Sequence, residues 1–283
     1  MNKVILSGID FSDCSINALE HALIIAAKAE ADLTMVWVNR SVSGKEIYQI
    51  NQENIVSEVI KRFDALIEKY QPSLPAGKLN YVIRKGRVYR EIVDVANELD
   101  AFLIVVGTHG ASGFEEFWIG SNANRIIAAT HRPVISIRGG VFIHKDLQKI
   151  VMPIDSTVES RQKVPMTTLL AKYFNAEIHV LAMFTSPFES VRSMIREYVA
   201  QTERYLLENG IKHYVEHVET DNITNATIDY AIKIDANLIS IMDEQESAAA
   251  NLWLGPYAQQ MINHSPIPVL CIHARDFIAG ANT

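Results

Sequence analysis

Four glycines, Gly107, Gly110, Gly113 and Gly120, fall within the fourteen residues GTHGASGFEEFWIG. An apolar run, AFLIVV (101–106), precedes them, and a helix-like segment, NRIIAAT, follows. Glycine loses more backbone entropy on ordering than any other residue, so this density needs a compensating use. Between a strand and a helix, that use is an anion site. Glycines let several backbone N–H groups converge on a negative group, and the following helix adds unpaired N–H groups and a positive dipole end. Ser121 stands where its hydroxyl caps that helix or bonds a phosphate oxygen. His109 is a candidate phosphate contact from within the loop. Plainer uses compete: Gly107 as a strand end, Gly113 as a turn residue, Ser121 as a cap alone.

The elements that must position this loop read as alternating strands and helices. The strands are KVILSGID, DLTMVWVN, LNYVIRKG, FLIVVG and PVISIR. Between them lie SINALEHALIIAAKAE, with Ala18, Ala22, Ile25 and Ala26 on one stripe, then NIVSEVIKRFDALIEKY, REIVDVANELD and NANRIIAAT. Gln71-Pro72 stops the second helix, because proline cannot continue it. Strands so continuously rich in Val, Ile and Leu predict a parallel sheet covered on both faces. Short connections and right-handed crossovers make it doubly wound. In such a sheet ligands bind beyond the carboxyl ends, where strand order reverses. SGIDFSD, after the first strand, is the expected second wall of that crevice.

The pattern then repeats. KIVMPID matches the opening strand with Asp155 in the place of Asp10, and EIHVLAMF, IKHYVEHVE, ANLISIM and PVLCIH follow. Residues 103–137 align without gaps on 238–272, with ten identities including Trp118/Trp253, Gly120/Gly255 and Pro133/Pro268. The chain is therefore a tandem duplication, with the join near RGGVFIHKDLQ and expected domains at 1–141 and 146–276.

Composition narrows the class. A net charge of −7 over 283 residues argues against a general nucleic-acid or anionic-membrane binder. The longest apolar runs fall far short of the roughly 20 residues needed to span a bilayer. The N-terminus reads as a strand rather than a secretory signal. Two cysteines, Cys14 and Cys271, with no CxxC pair, predict a reduced, cytoplasmic protein. The histidines show no metal-ligand spacing, so no metal site is expected.

Gly107, two residues, Gly110, nine residues, then Gly120-Ser121 resembles the nucleotide-binding motif of the universal stress protein family. Asp10-Phe11-Ser12 after the first strand and PVISIR at the close agree with it. The resemblance extends over both repeats. It implies two tandem doubly wound five-stranded sheets, Rossmann-like and similar to the adenine nucleotide alpha hydrolase fold. It also implies binding of ATP or AMP, with Mg2+ accompanying the phosphates, in a regulatory protein of the stress response. Under it, Asp10 and the backbone near Gly8, Ile9 and Val38 hold adenine and ribose. Gly107, His109, Gly110, Gly120, Ser121 and Asn122 line ribose and phosphates. Gly8, where proline or a bulkier residue is common, and Asn122, where a small aliphatic residue is common, depart from the family pattern. The last strands of the halves are expected to pair as an intramolecular pseudo-dimer, with a homodimer of chains as a further expectation.

No catalytic residue is named by this sequence. The P-loop lysine pattern is absent, and no base and nucleophile adjoin in sequence; slow hydrolysis or phosphorylation of Ser121 stays open. SGIDFS resembles loosely the pyrophosphate loop of adenylating enzymes, but Ile9 replaces its second glycine. An interaction scaffold without nucleotide is the other alternative. In the second copy the loop reads MDEQESAAANLWLGPY. Met242, Gln245 and Pro256 replace Gly107, Gly110 and Ser121, and Asp243, Glu244 and Glu246 bring negative charge. One nucleotide per chain, in the first half, is the expectation. Two further stretches stand apart: the basic RKGRVYR (84–90), and the polar SVSGKEIYQINQEN (41–54), expected to fold over the site.

Overall fold

The computed structural model describes residues 3–40, 52–108, 121–138, 146–243 and 254–274. In the first half the order is β1 (Val4–Gly8), α1 (Asp13–Ala29), β2 (Asp32–Arg40), α2 (Gln52–Tyr70), β3 (Leu79–Gly86), α3 (Val88–Glu98), β4 (Leu103–Gly107), α4 (Ser121–Ala129) and β5 (Val134–Ile137). The second half runs β6 (Lys149–Ile154), α5 (Val164–Phe174), β7 (Glu177–Phe184), α6 (Glu189–Glu208), β8 (His213–Glu219), α7 (Ile223–Lys233), β9 (Leu238–Asp243), α8 (Pro256–His264) and β10 (Val269–His273). Every strand expected from the apolar runs is present, within a residue or two of its expected ends.

All the strands join in one sheet of order β3-β2-β1-β4-β5-β10-β9-β6-β7-β8. Each half is parallel throughout, and the halves meet through a single antiparallel pair. There Ile135 faces Leu270, flanked by Ser136 opposite Val269 and Val134 opposite Cys271. Ile135 and Leu270 are equivalent positions of the repeat, so a pseudo-two-fold axis passes between them, as in a symmetric dimer interface. The expected edge-to-edge meeting of PVISIR and PVLCIH is thus present, and it leaves neither strand with an unpaired edge.

Helices cover both faces. Ala18, Ala22 and Ala26 of α1 are fully buried on one side with Leu33, Leu103 and Phe63. On the other, Ile92 and Ala96 of α3 and Ile127 of α4 pack over Leu6 and Ile104. The duplication extends to backbone detail. Glu30 and Asn175 both take left-handed conformations after α1 and α5, and Asp100 and Asp235 do so after α3 and α7. The halves part at the start of the first helix. α1 begins at Asp13, capped by Ser12, whose side chain accepts from the Ser15 amide. In the second half a 3-10 turn, Glu159–Arg161, fills that place and the α-helix begins only at Val164, with Pro165 in its first turn.

Candidate nucleotide site

Strand order reverses between β1 and β4 in the first half. Ser7 is level with Val105, so Gly8 and Gly107 end neighbouring strands at the same edge. Beyond Gly8 the chain is held in shape by its own side chains. Asp10 Oδ1 accepts from the Ser12 amide at 3.0 Å and from the Ser12 hydroxyl at 2.5 Å, while the Asp10 amide donates to Ser15 Oγ at 3.3 Å. Asp155, Thr157 and Ser160 build the same turn in the second half, at 2.7, 2.6 and 3.0 Å. Asp10 is therefore a loop-shaping residue whatever else it touches, which the sequence match of Asp10 to Asp155 does not reveal.

Phe11 separates the two turns. Its φ is +62°, a costly conformation for an aromatic residue. The ring is held against Phe63, 5.1 Å between centroids, with the Arg62 guanidinium 5.5 Å away. Ser156 stands at this place in the second half.

The glycines at the strand ends are packing devices. A Cβ on Gly107 would lie 2.7 Å from Cys14 Sγ and 3.0 Å from the Cys14 carbonyl oxygen, so glycine lets the first turn of α1 press onto β4. A Cβ on Gly8 would meet Ile92 Cδ1 at 3.1 Å, toward α3. Ile9 is buried and its amide donates to the Val36 carbonyl at 2.9 Å. Val38, near the end of β2, is buried in the apolar cluster that also holds Tyr89 and Ala123. Ser121 opens α4, with Asn122 beside it and half-buried. His109, Gly110 and Gly120 lie outside the described residues, as do residues 41–51 of the polar segment after β2.

The basic stretch after β3 gains a partner that sequence proximity does not show. Tyr89 receives a hydrogen bond from Arg90 Nε at 3.2 Å, and the guanidinium of Arg125, from α4, lies 5.9 Å from its ring. Arg90, through that bond, and Arg87 hold the Tyr89 phenol below its ordinary pKa. Three cations thus converge on the edge where α3 and α4 begin. In the second half, α7 and α8 start and stop at the same repeat positions, but Asn222, Asn225 and Gln260 replace Arg87, Arg90 and Arg125. Asn222 caps α7 by accepting from the Asn225 amide at 3.0 Å, whereas Arg87 gives α3 no side-chain cap.

Asp243 corrects a sequence expectation. It is not a loop carboxylate but the last residue of β9, fully buried. Its Oδ1 lies 3.4 Å from the amide of Gly255, the N-cap of α8, and its Oδ2 lies 3.1 Å from His273 Nδ1. A side-chain carboxylate therefore already sits where α8 offers its positive end, the place a phosphate would take. Pro256 removes the next N–H. Thr108, likewise buried, is the first-half equivalent. Glu244 and Glu246 lie outside the described residues.

The universal stress protein family matches residues 1–138 and 147–273. The chain belongs to the universal stress protein family. A universal stress protein of Methanocaldococcus jannaschii is 30% identical over 139 residues, which is 48% of this chain and 82% of that protein. One of Bacillus subtilis is 29% identical over 149 residues, 48% of this chain and 99% of that protein. Among solved structures, a universal stress protein of Archaeoglobus fulgidus superposes with TM-score 0.76 at 17% identity, covering 96% of this chain and 97% of that one. A functionally unknown protein of Pseudomonas aeruginosa gives 0.64 at 14% identity, covering 96% and 93%. The two structural likenesses extend over both halves, so the tandem fold has relatives of the same layout. No helix among the described residues is long and apolar enough to cross a membrane, and no group of three or more His, Cys, Asp or Glu among them is placed to hold a metal.

Proposed function

We propose that this tandem universal stress protein binds one adenine nucleotide, ATP or AMP, in its N-terminal half, and serves as a regulatory module of a stress response in a reducing cytoplasm. Binding adenine nucleotides is the family's property. The contrast between equivalent positions carries the assignment to one half. Arg87, Arg90 and Arg125 gather about Tyr89 on the edge where α3 and α4 begin, where the other half has Asn222, Asn225, Gln260 and a buried carboxylate, Asp243, at the helix start. Polyphosphate is attracted by the first set and opposed by the second. The missing α3 cap points the same way, because Arg87 gives up a contribution worth about 1 kcal/mol that Asn222 makes in its copy.

In this reading Asp10 and the backbone of Gly8 and Ile9 bound the adenine and ribose, and Val38 supplies the apolar wall. His109, Gly110, Gly120, Ser121 and Asn122 receive the phosphates, with any Mg2+ on the phosphate oxygens. The chain's own residues bind and orient the nucleotide and turn it over slowly, if at all. Mass spectrometry of the purified, denatured protein tests this. Retained ATP or AMP is expected, with much less in the Arg90→Ala/Arg125→Ala variant. No adenine nucleotide, together with no heat on adding ATP, would favour a scaffold that has lost its ligand.

A further inference from the structure

The antiparallel junction of the halves creates a cavity that neither half builds alone. Because Cys271 faces Val134, the carboxyl end of β10 lies beside the start of β5. A cavity of about 830 Å³ opens there. The first half contributes the entry side of its strands, with Lys3, Phe102, Arg132 and Pro133. The second contributes Val158, Arg161, Pro165 and Met166 from the turn into α5, and Ile272 and His273 from β10. This is a different place from the crevice between β1 and β4, and its volume falls in the range of small-molecule sites, which favour domain interfaces.

Its chemistry is mixed and positive. Three cations, Lys3, Arg132 and Arg161, face one carboxylate, Asp100, in a chain whose net charge is −7. Asp100 is 2.7 Å from Arg132 Nη1, which leaves Lys3 and Arg161 uncompensated by any lining carboxylate. Arg161 is pre-set: its guanidinium stacks 3.8 Å from the Tyr198 ring centroid and donates to Gln201, while its buried Nε has no protein partner. From β10 it is Ile272 that turns its side chain to this face, while the His273 ring turns to the α8 face beside Asp243. Buried polar atoms are normally satisfied, so the unpartnered Nε leaves part of the Arg161 guanidinium's hydrogen-bonding capacity unmet in a residue that lines the cavity. Phe102, Pro133, Pro165, Met166 and Ile272 make the remaining walls apolar. Val158 stands at the rim, 59% exposed.

We infer that the junction cavity binds a small organic anion, an acidic headgroup on an apolar body, with Arg161 and Lys3 taking the headgroup. This site is independent of the nucleotide reading. The probe is the aromatic sulfonate 8-anilinonaphthalene-1-sulfonate, titrated into the native full chain with its uncharged relative N-phenyl-1-naphthylamine alongside. The expected result is saturable binding of the sulfonate at one site per chain, unaffected by excess ATP. The uncharged dye should bind at least about tenfold more weakly, as should the sulfonate to Arg161→Met, since a hydrogen bond to a charged group is worth about that factor. Val158→Trp, which fills the rim from an exposed position and so leaves the fold intact, should also weaken it. Equal binding of the two dyes, displacement by ATP, or unchanged affinity in both variants would overturn the assignment.

Discussion

At the scale of single residues, the site is built as much by what is missing as by what is present. The sequence offers Gly107 as a phosphate-loop residue or a strand end; the structure adds a third use, the close seating of Cys14 on β4. A side chain there must push α1 away. Met242 occupies the equivalent position in the second half, where the α-helix is delayed to Val164. Gly107→Val should therefore cost about 1–3 kcal/mol, the usual penalty of overpacking. Denaturant unfolding measures it, and a variant as stable as the wild type would mean that α1 yields freely. Asp243 teaches the complementary lesson. Its negative charge was legible in MDEQES, but its burial was not, because burial depends on Gly255 and His273, distant in the chain.

At the scale of elements, the strands and helices were legible because each carries a simple signal. Unbroken Val, Ile and Leu runs mark doubly covered strands, and Gln71-Pro72 marks the end of α2. The delayed start of α5 was not legible, since the turn at Asp155 matches that at Asp10 and the two copies part only after it. Nor was the approach of both Arg90 and Arg125 to Tyr89, which needs α3 and α4 side by side. The outer strands carry a testable electrostatic link. Glu177, at the start of β7, bonds Lys212 Nζ at 2.7 Å and His179 Nε2 at 3.2 Å, and its carboxyl is held below the usual range by Lys212 first and His179 second. A depressed carboxylate pKa stabilises the fold above the unfolded value, about 4.3, and that contribution is lost as pH falls through the folded value. Glu177→Gln should lower the urea midpoint at pH 7 and converge on the wild type near pH 3. A constant gap across that range would assign the effect to packing instead.

At the scale of the whole molecule, the proposed reading is a division of labour between two copies of one fold. One half keeps a glycine-rich loop and three arginines about Tyr89; the other has its own carboxylate, Asp243, and neutral side chains at the equivalent positions. The repeat and the pairing of the last strands were readable because Ile135 and Leu270 sit in near-identical contexts, P-V-[IL]. The junction cavity was not, because its lining is drawn from both halves and only the antiparallel register of β5 with β10 assembles it. That register also makes the second half a fixed partner for the first, in the place a separate subunit would take. Calorimetric titration of the full chain with ATP tests the division most directly. The account predicts one nucleotide per chain, lost in Gly110→Phe and unchanged in Gln245→Phe. Two equivalent sites per chain, or ATP binding that survives Gly110→Phe at full affinity, would contradict it.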